Sequence, residues 1–335
     1  MNKKYYITLL CTFLLCVIIP SVYHYLSLNN DNNVQYTETV YHFENVQGPI
    51  QPIPRSLIID TDWLVLGKAL FHSPLLSKDN TISCASCHMV NFGGDDGFPV
   101  STGINNAQGN RNSPTVLNAT FNFRQFWDGR ASTLAEQAAG PIHNPVEMGT
   151  AWHEVIPKLE QDSYFNQTFN RLSISGVSAE NIIKAITVYE ESLITPNSPI
   201  DNFLLGDKNA LTTQQKRGLE LFINYGCATC HQGRNIGGNI YQKLGRINNI
   251  PKALTLDKGR FEVTNNTADE YIFKVPTLRN IADTAPYFHN GSIDNLPDAV
   301  RIMARSQLGR ELNNDDVDDI VALLHAFSAN VLEVK

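Results

Sequence analysis

The feature that most restricts this chain is a five-residue motif that occurs twice, as Cys84-Ala-Ser-Cys87-His88 and as Cys227-Ala-Thr-Cys230-His231. Cys-x-x-Cys-His is the attachment signature of c-type haem: both thiols add to the haem vinyl groups, and the adjacent histidine is placed to bind iron from one face. Each copy therefore needs a fold that closes around a large, flat, apolar group, and the haem supplies much of each small core. His88 and His231 are the expected proximal ligands. A zinc site or a redox dithiol uses the same residue types, but two complete copies, each with its histidine, argue for haem. Six cysteines are present; Cys11 and Cys16 lie in the first apolar stretch, so none outside it remains for a structural disulfide.

The N-terminus carries Lys3 and Lys4, followed by a nearly unbroken apolar run from Tyr5 to about Leu28. Such a run is long enough to span a bilayer, and the lysines before it keep the N-terminus in the cytoplasm. It reads as a cleaved signal peptide or as an uncleaved anchor. Small residues are scarce near its end, and none precedes Cys11 or Cys16 as a lipoprotein signal requires, so the anchor is favoured. Either way the remainder is exported, to the periplasmic face of the inner membrane. Residues 29–54 are polar and then carry Pro49, Pro52 and Pro54, which reads as a tether.

Beyond Asp60 the apolar pattern becomes helical, with Trp63, Leu64, Gly67, Leu70 and Phe71 at helix-like spacing. The spacing predicts further helices over 179–192, over 213–225 and over 314–328. The second of these opens on a Thr212-x-x-Gln215 capping box and runs into Cys227. The last gathers Asp315, Asp316, Asp318 and Asp319 near its positive end. Strand signals are few, and a glycine-rich loop (Gly93, Gly94, Gly97, Gly103, Gly109) follows the first haem motif. The expected fold is mainly α: two cytochrome c-like haem domains in tandem, 55–206 and 207–335, behind the anchor (1–28) and tether (29–54). The length of 335 residues suits two such cores, and the net charge of -7 argues against a nucleic-acid partner.

The sixth ligand of each iron decides what such a protein does: a His/Met pair raises the potential and suits electron transfer, whereas an open position admits a small molecule. Of the four methionines, Met1 starts the chain, Met89 adjoins the first motif, and Met148 lies in the segment after it. Met303 alone sits well beyond the second motif, which makes it the candidate ligand opposite His231.

Several longer stretches then carry a resemblance. They are Leu66-Gly-Lys-Ala-Leu-Phe71, Ile82-Ser-Cys-Ala-Ser-Cys-His88, Arg111-Asn-Ser-Pro-Thr-Val-Leu-Asn118 and Gln125-Phe-Trp-Asp-Gly-Arg-Ala131. Gly140-Pro-Ile-His-Asn-Pro-Val-Glu-Met148, Phe273-Lys-Val-Pro-Thr-Leu-Arg-Asn280 and Ala285-Pro-Tyr-Phe-His-Asn-Gly291 belong with them. From about Leu57 onward the chain resembles the bacterial di-haem cytochrome c peroxidase family, which also includes the MauG-type enzymes.

The resemblance implies two covalent haem c groups, a peroxidatic one on His88 and an electron-transferring one on His231 with Met303 opposite. It implies Glu147 as the distal acid–base residue, Gln137 as a polar pocket residue and Trp127 as the indole between the haems. It implies a calcium ion held by the Asn112 side chain and the Thr284 and Pro286 carbonyls, ligation of a kind that suits calcium. His289 matches a family histidine and is expected at a haem propionate or an interface. The implied activity is reduction of hydrogen peroxide with electrons from a small donor, a cytochrome c or a cupredoxin. The family commonly forms homodimers, and no dimer interface is legible in this sequence.

One position departs. Many members carry a closing histidine sixteen residues after the first haem histidine; here that residue is Ile104, which cannot ligate iron. The expectation is a first haem open at rest, with His143, four residues before Glu147, as the rival ligand. Two other functions compete with the peroxidase: a MauG-like oxidase acting on a partner protein, and a non-catalytic electron carrier or redox sensor. The MauG-type enzyme also lacks the closing histidine but has a tyrosine where Met303 stands, and a pure carrier has no use for Glu147.

Overall fold

The structure, a computed structural model, describes residues 38–334; the expected anchor over 1–28 lies outside the described residues. The fold is predominantly helical, with two small antiparallel strand pairs, Val40–Tyr41 on Leu57–Ile58 and Tyr241–Lys243 on Ile272–Lys274. No helix among the described residues is long and apolar enough to cross a membrane.

The two halves repeat one packing device. Thr61–Phe71 begins on Asp60, whose carboxylate accepts from the Asp62 and Trp63 N–H groups, and it crosses Ala179–Ser192 at Gly67. A Cβ there would lie 1.8 Å from the Ala185 carbonyl oxygen, so only glycine lets the helices approach this closely. In the other half Thr213–Asn224 crosses Asn314–His325 at Gly218, where a Cβ would stand 2.1 Å from Asp319 O. The capping box forms as expected: Gln215 N–H donates to Thr212 Oγ1 at 3.2 Å, and Thr212 N–H to Gln215 Oε1 at 2.9 Å. Around the first crossing Leu66, Leu70, Phe169, Ile182 and Ile186 form one core. Around the second, Phe222, Ile320, Leu323, Leu324 and Phe327 form another. In each half the helix before the Cys-His motif is thus anchored to the last long helix of that half.

Three expectations need correction. From Val40 on, the stretch expected to be a tether is part of the packed body. Ile50 and Ile53 are buried, Gly233 N–H donates to Pro49 O at 2.7 Å, and Ile53 N–H donates to Asp201 at 3.2 Å. That strap is clamped by Arg279, wholly buried, which pairs with the equally buried Asp201 at 2.8 Å and donates to Gln51 O at 2.8 Å. Secondly, Pro199–Leu204 packs into the second core through Ile200, so that core begins before the Gly206 boundary. Thirdly, the last helix ends at His325, and Asp319 faces Arg217 at 2.8 Å instead of its own helix end. The chain then returns to the first half, where Leu332 N–H donates to Ile194 O at 2.8 Å.

Candidate functional site

Each Cys-His motif opens onto its own cavity. Cys84–Cys87 forms a single helical turn and Cys227–Thr229 a 3-10 turn, so both thiols and the following histidine project to one side. Cys84, Cys87 and His88 line a cavity of about 180 Å³; Cys227, Cys230 and His231 line one of about 250 Å³.

Both histidines are prepared in the same way. His88 Nδ1 lies 3.2 Å from Gly94 O and 3.3 Å from Ser113 Oγ, and His231 Nδ1 lies 3.3 Å from Ile236 O. A ring whose Nδ1–H is given to the backbone presents a basic Nε2, the arrangement that orients a metal-binding imidazole. Burial pushes both below the ordinary imidazole range, His231 down to about 4, so each ring is neutral and able to donate its lone pair. Among the described residues no three His, Cys, Asp or Glu side chains converge on one point as a zinc site requires. These residues fit a covalent haem: thiols and histidine on one wall, apolar residues around, and a free imidazole nitrogen.

The first cavity also receives Glu147 and Gln137. Gln137 comes from the helix Leu134–His143, and Glu147 from the turn that follows it. Glu147 Oε1 accepts from Asn144 Nδ2 at 2.6 Å, while Asn144 Oδ1 accepts from Val146 N–H at 3.2 Å, so one asparagine shapes the turn and holds the carboxylate. Burial raises the Glu147 carboxyl above its usual range, opposed by the Asn144 hydrogen bond and by Arg130. Three further charged groups lie in this wall, Arg111, Arg130 and Glu190. Arg111 is held by Asp128, Asp257 and Glu262. Glu190 is buried, and desolvation beside Glu191 pushes it up to about 8, so it is neutral near pH 7.

The second cavity receives Met303, from the helix Leu296–Leu308, on the same wall system as His231. The partition between the cavities is made by Asn112–Thr115 and Gln125–Trp127, which line both. Trp127 Nε1–H donates to Asn112 O at 2.9 Å, which fixes the indole in the partition. His289 stacks on Phe273 at 4.4 Å, meets Trp127 edge-on at 6.3 Å and leaves its Nε2 buried without a partner.

Asn112, Thr284 and Pro286 also line the second cavity. Asn112 Nδ2–H is given to Phe98 O at 2.9 Å, which leaves Oδ1 for another partner. Ile104 and His143 stand outside both walls. Ile104 is buried against Gly149, its N–H donating to Glu147 O at 2.9 Å. The His143 ring packs edge-on against Trp152 with Nδ1 3.1 Å from Thr150 O. His88 is the one histidine in the wall of the first cavity.

Glu190, Asn144 and Lys274 were not singled out from the sequence. Glu190 had a signal: it stands four residues beyond Ile186 and eight beyond Ile182, on the apolar stripe of its helix, where a carboxylate is out of place. Asn144 and Lys274 lay inside stretches read only as patterns.

With this geometry in hand, comparison with known proteins is informative. The family described as di-haem cytochrome c peroxidase matches residues 61–209. Cytochrome c peroxidase Ccp of Escherichia coli (strain K12) is 49% identical over 288 residues, 85% of this chain and 62% of that protein, so the chain spans less than two thirds of that relative. Cytochrome c551 peroxidase of Pseudomonas aeruginosa is 48% identical over 277 residues, 81% of this chain and 80% of that protein. Among solved structures, a MauG-like protein associated with microbial copper homeostasis has the same fold, with a TM-score of 0.74 at 24% identity over 85% of this chain and 93% of that one.

Proposed function

We propose that this chain, which belongs to the bacterial di-haem cytochrome c peroxidase and MauG-like family, is a haem-dependent peroxidase acting on hydrogen peroxide, its first cavity reducing the peroxide and its second taking in the electrons. The observation that carries this division is the sorting of side chains: Glu147 and Gln137 line the cavity of His88, and Met303 lines that of His231. The repeated glycine crossing of helices supports two tandem haem domains.

Cys84, Cys87 and His88 would hold one haem c and Cys227, Cys230 and His231 another, and these groups would supply peroxide-binding iron in the first cavity and single-electron transfer from the second. The residues of the chain do the rest. Glu147 Oε1 is occupied by Asn144, so Oε2 takes the proton from one peroxide oxygen and returns it to the other, which leaves as water. A half-buried carboxylate with a raised pKa takes up that proton more readily than a solvated one, whose ionised form water stabilises. Gln137 adds a hydrogen-bond donor beside the bound peroxide. Trp127, rigidly held in the partition, shortens the path between the cavities. Two electrons and two protons convert one peroxide into two waters, the electrons arriving singly from a small cytochrome c or cupredoxin.

Ile104 bears on the resting state. Because it is buried against Gly149, and His143 is turned to Thr150 and Trp152, neither reaches the first cavity. A haem held by Cys84, Cys87 and His88 would therefore be open to peroxide without prior reduction. Met303 beside His231 favours the peroxidase over the oxidase of partner proteins. Calcium on Asn112 Oδ1 and the Thr284 and Pro286 carbonyls would brace the partition. A periplasmic location is consistent with the family, and the apolar run 5–28 would hold the protein at the membrane.

The test is to mix fully oxidised protein with peroxide and a prereduced cytochrome c, and to follow the first turnovers. Donor oxidation without a lag is expected. A lag abolished by prior half-reduction would overturn the open first site.

A further inference from the structure

The two cavities differ in what charges face them. The first is lined by Arg111, Arg130, Glu147 and Glu190, two cations and two acids. The wall of the second contains one residue with a formal charge, Lys274.

Lys274 ends the strand Ile272–Lys274, whose position is fixed by pairing with Tyr241–Lys243 and by the Lys274 N–H, which donates to Trp127 O at 2.8 Å. Its side chain is only 6% exposed. No described residue gives its ammonium a hydrogen bond or an ion pair. Burial alone, with nothing opposing it, pushes the ammonium down to about 8. A buried ammonium without an anion is costly, and proteins keep one where a ligand supplies the counter-charge.

The geometry points to Lys274 as the receiver of a propionate carboxylate of the haem in the second cavity, and as a residue that raises that haem's reduction potential. This rests on the reading that Cys227, Cys230 and His231 hold a haem. Thioether bonds use the vinyl edge of the macrocycle, and the propionates are then its only anions. Pairing one of them with Lys274 removes negative charge from beside the iron, and a retained cation favours the reduced state, which carries one positive charge fewer. The backbone of Lys274 is hydrogen-bonded to Trp127, which sets the residue beside the partition. Lys274 is a positioning residue: it acts through the haem and touches no peroxide.

The experiment uses the full-length protein with both haems attached. Intact mass must first show two covalent haems, and one in a Cys227→Ala/Cys230→Ala variant; a failure there rejects the reading of the second cavity and the role of Lys274 with it, whereas success leaves the potentials to test Lys274 alone. Spectroelectrochemical titration then compares wild type, Lys274→Met and Lys274→Arg. In K274M the potential of the C-terminal haem falls while that of the N-terminal haem stays in place, and K274R returns it toward wild type. Covalent attachment keeps the haem in place when the ion pair is lost. Unchanged potentials in K274M, or an equal shift of both haems, would overturn the assignment. If K274M does not mature, infrared redox-difference spectra of wild type with 13C-carboxyl-labelled haem decide the matter. Ionised propionate at the C-terminal haem in both redox states is expected, and a protonated carboxyl band there overturns the assignment.

Discussion

The two cavities share a partition, a motif and a way of presenting histidine, yet their remaining walls are built for different tasks. The first, of about 180 Å³, places two acids and two arginines around its interior. The second, of about 250 Å³, is lined almost entirely by apolar and neutral polar residues, with Lys274 as its one charge. A carboxylate held at 2.6 Å by an asparagine is suited to moving protons, and a thioether in the same cavity as a neutral imidazole is suited to tuning an electron carrier. The comparison teaches that one scaffold yields two chemically different cavities according to which side chains enter after the shared motif is in place.

The comparison breaks most sharply at Glu147. Glu147→Gln should lower peroxide turnover by about 10²–10⁴-fold, the usual contribution of a positioned acid–base group. Reductive titration of the C-terminal haem should be unchanged in the same variant. Equal turnover in E147Q and wild type, measured by donor oxidation, would remove the proton-handling role of the first cavity.

A second test addresses the clamp beside the second core. Asp201→Asn leaves the wholly buried Arg279 without its carboxylate, and unfolding by denaturant should show a loss of about 3–5 kcal/mol. A loss of only a few tenths would mean that the strap 40–54 does not depend on this pair.

pH separates the two cavities further. Glu190 is pushed up to about 8 from its ordinary 4.5, so between those values the folded protein holds a proton that the unfolded chain has released. Its contribution to stability is therefore fully present below about 4.5 and is lost as pH rises through about 8. Melting temperatures of Glu190→Gln should show a flatter decline over that window; an identical decline would sink the assignment of the slope to Glu190.

Smaller effects sharpen the picture. Asn144→Ala removes a hydrogen bond that favours the ionised form, so the Glu147 carboxyl should rise further. Because the ionised form accepts the proton, the acidic limb of the kcat/KM profile should move to higher pH. Trp127→Phe loses the bond to Asn112 O, about 1 kcal/mol of stability. It should also slow electron transfer between the haems while leaving both haems loaded, as rapid-mixing spectroscopy would show.

Much of this was legible in the sequence because it is encoded locally. The helix 179–192 has the bounds its spacing predicts, and the Thr212 cap forms because its partner is three residues away. The haem motifs are contiguous, and Met303 could be chosen because few methionines compete. The strap was misjudged because proline-rich sequence looks the same whether solvated or laid on a surface; only the buried Arg279–Asp201 pair decides between them. Glu147 and Gln137 were named through resemblance, not periodicity, since neither announces a cavity by itself.

Sequence alone determined that this chain takes two covalent haems, that its fold is mainly helical and that Ile104 cannot close the first iron. These follow from chemistry that residues carry with them wherever they are placed. Only the tertiary structure decided that Trp127 stands in the wall of both cavities, that Asn144 grips Glu147, and that Ile104 and His143 are turned away from the first cavity. It also decided that Lys274 is buried without an anion beside the second. Burial and the absence of a partner are properties of surroundings assembled from distant segments, and no single stretch of chain contains them.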